Sequence, residues 1–239
     1  MTSALPPMFP AAGRVGAPFT FVGERLWLDF VNSDDVAQGR HRAVAADALG
    51  AFDGLIAWLA QARLLDDERA AAMVRRAQQQ PTGASAALHE ARRIRSVLRA
   101  LAEHGSGDIP LAASEQDRAT QLAIAEINRV LGRSAGTRRV EPRADGGFVR
   151  NFVTVGDVFA ALLTPVIESA ADALVNGELE RVHRCASARC RRVFFDSSRN
   201  GKRRWCEMAT CGNRAKAARH RRKVKTTEPR RSRMPGAVT

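Results

Sequence analysis

Four cysteines, Cys185, Cys190, Cys206 and Cys211, are the only ones in the chain and fall in the pattern C-x4-C-x15-C-x4-C. Two close pairs separated by a hairpin-sized insert form a metal-ligand spacing; oxidised pairs or unrelated buried thiols are the competing readings. Four thiolates suit tetrahedral Zn2+ at Zn–S distances of about 2.3 Å and leave no open position for a substrate water. The chemistry expected is therefore one structural Zn2+. His183 stands close enough to compete as a ligand, but with four thiolates at hand it reads as a surface residue.

The chain turns basic at the last cysteine. On a helix starting near Cys211, Arg214, Ala218, Arg221 and Lys225 share one side, and Lys216, Arg219, His220 and Lys223 flank it. Arg214, Lys216, Arg219, His220, Arg221 and Lys223, with Arg203, Arg204 and Arg222, are candidates for nucleic-acid contact, either in a major groove or along phosphates. Asn213 offers an adenine contact or a helix cap, the cap being the commoner use. His220 reads as a phosphate or solvent contact.

The insert between the cysteine pairs supplies the geometry. RRVFFD reads as a strand, Asn200-Gly201 as a turn, and RRWC as the return to the third ligand. Pair, hairpin, pair and helix make a treble-clef-like finger. Phe194, Phe195 and Trp205 are its expected apolar core, with zinc supplying the remaining folding energy. Surrounding Arg and Lys are expected to favour thiolate over thiol, and Gly212 to bring a backbone N–H close to sulfur.

The charge is polarised along the chain. Of a net +13, residues 181–239 hold 19 Lys+Arg against three acids, which leaves residues 1–180 near −3. A near-neutral body carrying a basic module aimed at a polyanion is the implied organisation.

The body that must position this module reads as mostly helical. GERLWLDFVNS sets Leu26, Trp27, Phe30 and Val31 at helical spacing, with Asp29 and Asn32 as its polar positions; a short helix is favoured over a strand, which would leave Asp29 among Trp27 and Val31 on one face. Asp53 is expected to cap a helix bearing Leu55, Ile56, Leu59 and Ala62. Helices are expected at 67–79, 84–104 and 114–131, broken by PTG and GSGDIP. An Asp-Gly-Gly turn predicts a β-hairpin over 138–153. Thr154 and Asp157 resemble a capping box, opening a helix that Pro165 should kink and Asn176-Gly177 should end. The fold class is α+β: a mostly helical N-terminal domain with a small β-hairpin, then the finger. The expected divisions are a flexible arm at 1–18, the body at 19–180, the finger at 181–225 and a disordered basic tail at 226–239.

The finger closely resembles the CGNR zinc-finger family in Cys211-Gly212-Asn213-Arg214, in the S-R-N-G turn, in R-W-C and in ligand spacing, from Arg184 to about Lys223. The body is similar to the ABATE domain, through Leu28-Asp29-Phe30-Val31-Asn32 followed by Ser33 where Thr is usual. The resemblance implies an α/β N-terminal domain, zinc ligation by the four cysteines, and a stress-induced transcriptional regulator.

The function expected is a DNA-binding regulator whose body dimerises or senses a small-molecule effector, with an RNA- or ribosome-associated zinc protein as the alternative. Absence of G-x-G-x-x-G, P-loop and H-E-x-x-H motifs and of a spare cysteine argues against an enzyme. Asp29 and Asn32 are left as a candidate N-terminal site, Asp29 reading more readily as a helix-embedded carboxylate paired with an Arg or a backbone N–H. No apolar run is long enough to span a bilayer, and a cytoplasmic, nucleoid-associated location is expected.

Overall fold

The computed structural model describes residues 19–34, 47, 49–105, 113–133, 136–142, 147–155, 158–159, 161–188 and 190–227. The expected arm, the tail from 228 onward and the Asp157 half of the capping box lie outside these residues; Thr154, the other half, ends a strand instead of opening a helix.

Helix α1 (Leu26–Val31) is short, and every one of its residues is buried. A helix apolar nearly all round belongs at the centre of a fold. It packs against α4 (Pro81–Gly105), α6 (Thr164–Val175) and strand β4 (Val193–Phe195). Around it lie α2 (Phe52–Gln61), α3 (Asp67–Gln79) and α5 (Ala113–Arg133). Leu55, Ile56, Leu59 and Ala62 of α2 and its C-cap are buried as their spacing predicts, and so is Trp58. The Trp58 ring meets Phe30 edge-on at 5.2 Å and tilts against Phe21 at 5.7 Å, geometries that suit ring quadrupoles.

Three helix starts differ from expectation. The N-cap of α2 is Ala51, and Asp53 stands inside the first turn, where its charge faces the positive end of the helix dipole. Helix α4 begins at Pro81, so PTG is helix and not loop. Proline is suited to a first position, where its missing N–H would have no partner anyway. For the same reason Pro165 lies in the first turn of α6 and starts that helix instead of kinking it. Asp66 caps α3 by accepting from the Arg69 N–H at 2.7 Å.

Strands β1 (Gly136–Pro142) and β2 (Phe148–Thr154) form the expected antiparallel hairpin, with Val140 opposite Arg150. Helix α6 ends at Val175 with Asn176 as its C-cap, and Gly177 follows in the left-handed region at φ 66°. A 3-10 turn, Glu178–Arg181, leads into β3 (Val182–Arg184), which pairs antiparallel with β4. A π-helical turn, Met208–Gly212, then opens into α7 (Asn213–Thr227).

Among the described residues no helix is long and apolar enough to cross a membrane. A cavity lined by Leu55, Ile94, Val130, Phe159 and Leu163 among others has room for about one water molecule.

Candidate metal centre

Cys185 and Cys190 lie on the loop between β3 and β4, and Cys206 and Cys211 flank the start of the π turn that leads into α7. The loop is closed by backbone hydrogen bonds from Cys185 N–H to Arg192 O (2.9 Å) and from Cys190 N–H to Ser187 O (2.8 Å). The Ala186 N–H donates to Arg204 O at 2.9 Å and ties the first cysteine pair to the approach to the second.

All four Sγ atoms are buried and lie within 4.8 Å of one another. A tetrahedral site with Zn–S bonds of about 2.3 Å requires sulfur–sulfur edges of about 3.8 Å. The Cys190–Cys206 and Cys206–Cys211 separations are both 3.8 Å. The donor set therefore has the size and softness for one structural Zn2+, with no fifth position for substrate.

Crowding also shows in the acidities. Hydrogen bonds from Cys190 and Cys206 pull the Cys185 thiol far down, while the contact with Cys185 pushes Cys190 up to about 12 and raises Cys206 as well. Four sulfurs this close share protons until a dication balances their charge. The largest influences on these acidities are the neighbouring thiols.

The strand arrangement departs from the expected one. RRVFFD does not pair with RRWC; β4 pairs backward with β3, with Val182 opposite Phe195 and His183 opposite Phe194. Alternation along β4 then sends its side chains to two different cores. Val193 and Phe195 join the main core with Val182, whereas Phe194 is fully buried among the cysteines, with Trp205 and Val22 packed against them. Phe195 thus belongs to the body, not to a separate finger core. A strand buried on both faces shows no polar alternation, so its pattern could not reveal its partner.

Asp29 and Asn32 hold the finger in place. Asn32 Nδ2 donates to Val193 O (2.8 Å), and its Oδ1 accepts from the Val193 N–H (3.0 Å). Asp29 Oδ1 accepts from the Gly23 N–H (2.7 Å), and Gly23 O accepts from the Phe195 N–H (2.9 Å). Burial pushes the Asp29 carboxyl up to about 7, against the lowering effect of the Gly23 and Val22 amides. Arg99 donates to Val31 O (2.6 Å) and to Arg191 O (3.2 Å), a further bond across the same junction.

The candidate nucleic-acid residues divide in two. Arg203 is internally committed: its side chain donates to Trp205 O (3.0 Å) and Cys206 O, pairs with Glu24, and lies 4.6 Å over the Phe194 ring. Its part is to hold the third ligand. Arg204, Arg214, Lys216, Arg219, His220, Arg221 and Arg222 are exposed. Lys223 lies on α7, with its side chain outside the described set.

Asn213 is exposed at the first position of α7, and its Nδ2 donates back to Ala209 O at 3.1 Å instead of accepting as an N-cap. The Gly212 N–H donates to Glu207 O (3.1 Å) and not to sulfur. Gly212 has a steric role instead, since a Cβ there would come within 2.5 Å of Met208 Sδ. His183 is half-buried, with its ring 6.1 Å from Phe194, and takes no place among the four sulfurs.

Sequence reasoning missed Asp196, which is fully buried. Its carboxylate accepts from the Ser198 N–H and the Arg203 N–H, both at 2.8 Å. An acid followed by Ser-Ser and Asn-Gly was the available signal, because Asp folds turns by binding the backbone ahead of it.

A helical body fused through a shared core to a four-thiolate finger defines a zinc-binding protein of two joined parts. Residues 24–177 match the ABATE family, described as "Putative stress-induced transcription regulator", and residues 181–224 match the CGNR zinc finger family. The chain belongs to the ABATE family and carries a C-terminal CGNR zinc finger. No curated protein matches it.

Proposed function

We propose that the protein is a DNA-binding transcriptional regulator in which the zinc site sets the start of α7 and the body sets the direction in which that helix points. The observation that carries this reading is the state of α7. From Asn213 to Arg222 only Ala215 and Ala218 are even half-buried. Among the described residues, Arg214, Lys216, Arg219 and Arg221 form no ion pair. An isolated helix carrying like charges three and four residues apart is disfavoured in water. A polyanion laid along it would remove that repulsion, and phosphates fit the need.

Duplex DNA is favoured over single-stranded RNA by the aromatic residues of the finger. Single strands are usually held by stacking on exposed rings. Phe194 and Phe195 are buried, and Trp205 is half-buried with the Arg204 guanidinium 5.3 Å from its ring.

One small finger neutralises few phosphates, so tight binding calls for a homodimer or a longer footprint. A nucleoid-associated, cytoplasmic regulator responding to stress through its body is the biological form of this reading.

Genome-wide footprinting of the wild type against Arg214→Ala/Arg221→Ala/Lys223→Ala tests it. Discrete sites lost in the variant are expected; absence of sites in the wild type would remove the regulator reading. In a competition at one salt concentration, preference for structured RNA over duplex DNA would replace it with the ribosome-associated alternative.

A further inference from the structure

The turn between β4 and the third ligand is held by more contacts than a connecting loop needs. Asp196, fully buried, spends both carboxylate oxygens on its backbone, at the Ser198 and Arg203 N–H groups. The Gly201 N–H closes onto Ser198 O (3.3 Å), with Gly201 in the left-handed region at φ 60°. Arg181 Nη2 donates to the same Ser198 carbonyl at 2.5 Å, and the Ser198 hydroxyl lies 3.2 Å from Asn200 Oδ1. The backbone path from Asp196 to Arg203 is thereby set from inside the protein.

The charges on this turn sort by partner. Arg203 is half-buried and committed to the Trp205 carbonyl and Glu24, and the exposed Arg181 beside the turn is engaged by the Ser198 carbonyl. Arg199, Lys202 and Arg204 are exposed, and among the described residues Arg199 and Lys202 have no acidic partner. Asp196 is the one acid between Cys190 and Cys206, and its carboxylate is already hydrogen-bonded on both oxygens. A pre-ordered turn that presents unneutralised cations loses little side-chain and backbone freedom on meeting an anion.

We propose that the turn Ser197–Arg204 is a second phosphate-contacting surface of the finger, in which Arg199 and Lys202 bind the backbone of the nucleic acid gripped by α7. The inference rests on the nucleic-acid reading of α7 and lengthens its footprint across the zinc site. It assigns Arg199 and Lys202 a positioning role along the duplex, because phosphate contacts set register and carry no sequence information of their own.

The test is the salt dependence of binding to a short DNA duplex by the zinc-loaded full chain. Each phosphate neutralised contributes about 0.9 to the slope of log K against log salt. Arg199→Ala/Lys202→Ala should lower that slope by about 1.8 while zinc content and Tm stay at wild-type values. Arg199→Gln/Lys202→Gln repeats the measurement with side-chain bulk retained, should the alanine pair lose zinc.

Arg75→Ala/Arg76→Ala, two exposed positions on α3, removes the same charge from the body and should leave the slope unchanged. A wild-type slope in the turn variants, with α7 variants impaired, would overturn the role of the turn and leave the α7 reading standing. Equal loss from the α3 pair would overturn it as a net-charge effect. No binding by the wild type would overturn both.

Discussion

Arg95, Arg99 and Arg129 in the helical body and Arg214, Arg219 and Arg221 on α7 carry the same charge in opposite surroundings. Arg95 reaches Asp47 through two bonds of 2.6 and 2.7 Å and also donates to Ser33 Oγ at 3.1 Å. Arg99 pairs with Asp34 and Glu103 and donates to Val31 O. Arg129 bridges Glu126 at 2.5 Å and Glu90 at 2.6 Å. These side chains bind elements together. The three on α7 are exposed and meet no acid among the described residues. A count of arginines would treat both regions alike; their partners separate structural cations from those left for a ligand.

The largest effect expected is on the finger. Structural zinc contributes about 10–16 kcal/mol of apparent folding energy in small modules, so Cys206→Ser should abolish zinc binding, as metal analysis of the purified protein would show. Wild type should carry one zinc per chain, and full zinc in the variant would refute the four-thiolate site. Because β4 is shared, the body should lose stability too.

The divided strand sharpens that point. Phe195→Ala removes a ring from the main core and should cost about 3–5 kcal/mol of global stability in denaturant unfolding while zinc stays bound. Phe194→Ala should instead speed zinc loss to a chelator. Identical behaviour of the two variants would contradict the two-core assignment.

Asn32→Ala leaves the Val193 N–H and C=O without partners, at about 1–3 kcal/mol for each group. Hydrogen exchange at Val193 and Phe195 should accelerate ahead of exchange in α4. Unchanged protection would show that Asn32 does not hold the junction.

A smaller effect concerns pH. Asp29 has its folded pKa raised from 3.8 to about 7, so the native state binds the extra proton and stability falls as pH rises from about 4 to 7. Asp29→Asn should flatten that decline. Asp47 and Glu126 shift the other way, held below the usual carboxylate range by hydrogen bonds from Arg95 and Arg129. Their contribution is present above the unfolded pKa and is lost as pH falls below about 4.

How much of this was legible in the sequence depended on how local the determinant was. Cysteine spacing, the Gly177 stop and the apolar stripe of α2 act within one element, and each was readable. The use of Asn32 was not, since its partner Val193 lies 161 residues away. Asp29 and Asn32 stood as a candidate site, with a backbone N–H among the favoured partners for Asp29; the structure gives Asp29 the Gly23 N–H and spends Asn32 on the Val193 backbone. Arg203 was misread for a similar reason. Its sequence neighbours are exposed and basic, while its contacts with Glu24 and the Trp205 and Cys206 carbonyls follow from tertiary structure.

The smallest expected change is in the stability of α7 variants. Arg214→Ala, Arg219→Ala and Arg221→Ala should each shift unfolding by no more than about 0.5 kcal/mol, as exposed unpaired side chains do. Arg95→Ala should shift it measurably, and the reverse ranking would break the division between the two sets of arginines.

The most direct test is duplex DNA binding across a salt series by the zinc-loaded protein and by Arg214→Ala/Arg219→Ala/Arg221→Ala at matched zinc content. The division predicts salt-dependent binding in the wild type and a slope reduced by about 2.7 in the triple variant, three phosphates at about 0.9 each. Equal slopes for the two proteins, or no binding by the wild type at low salt, would contradict it.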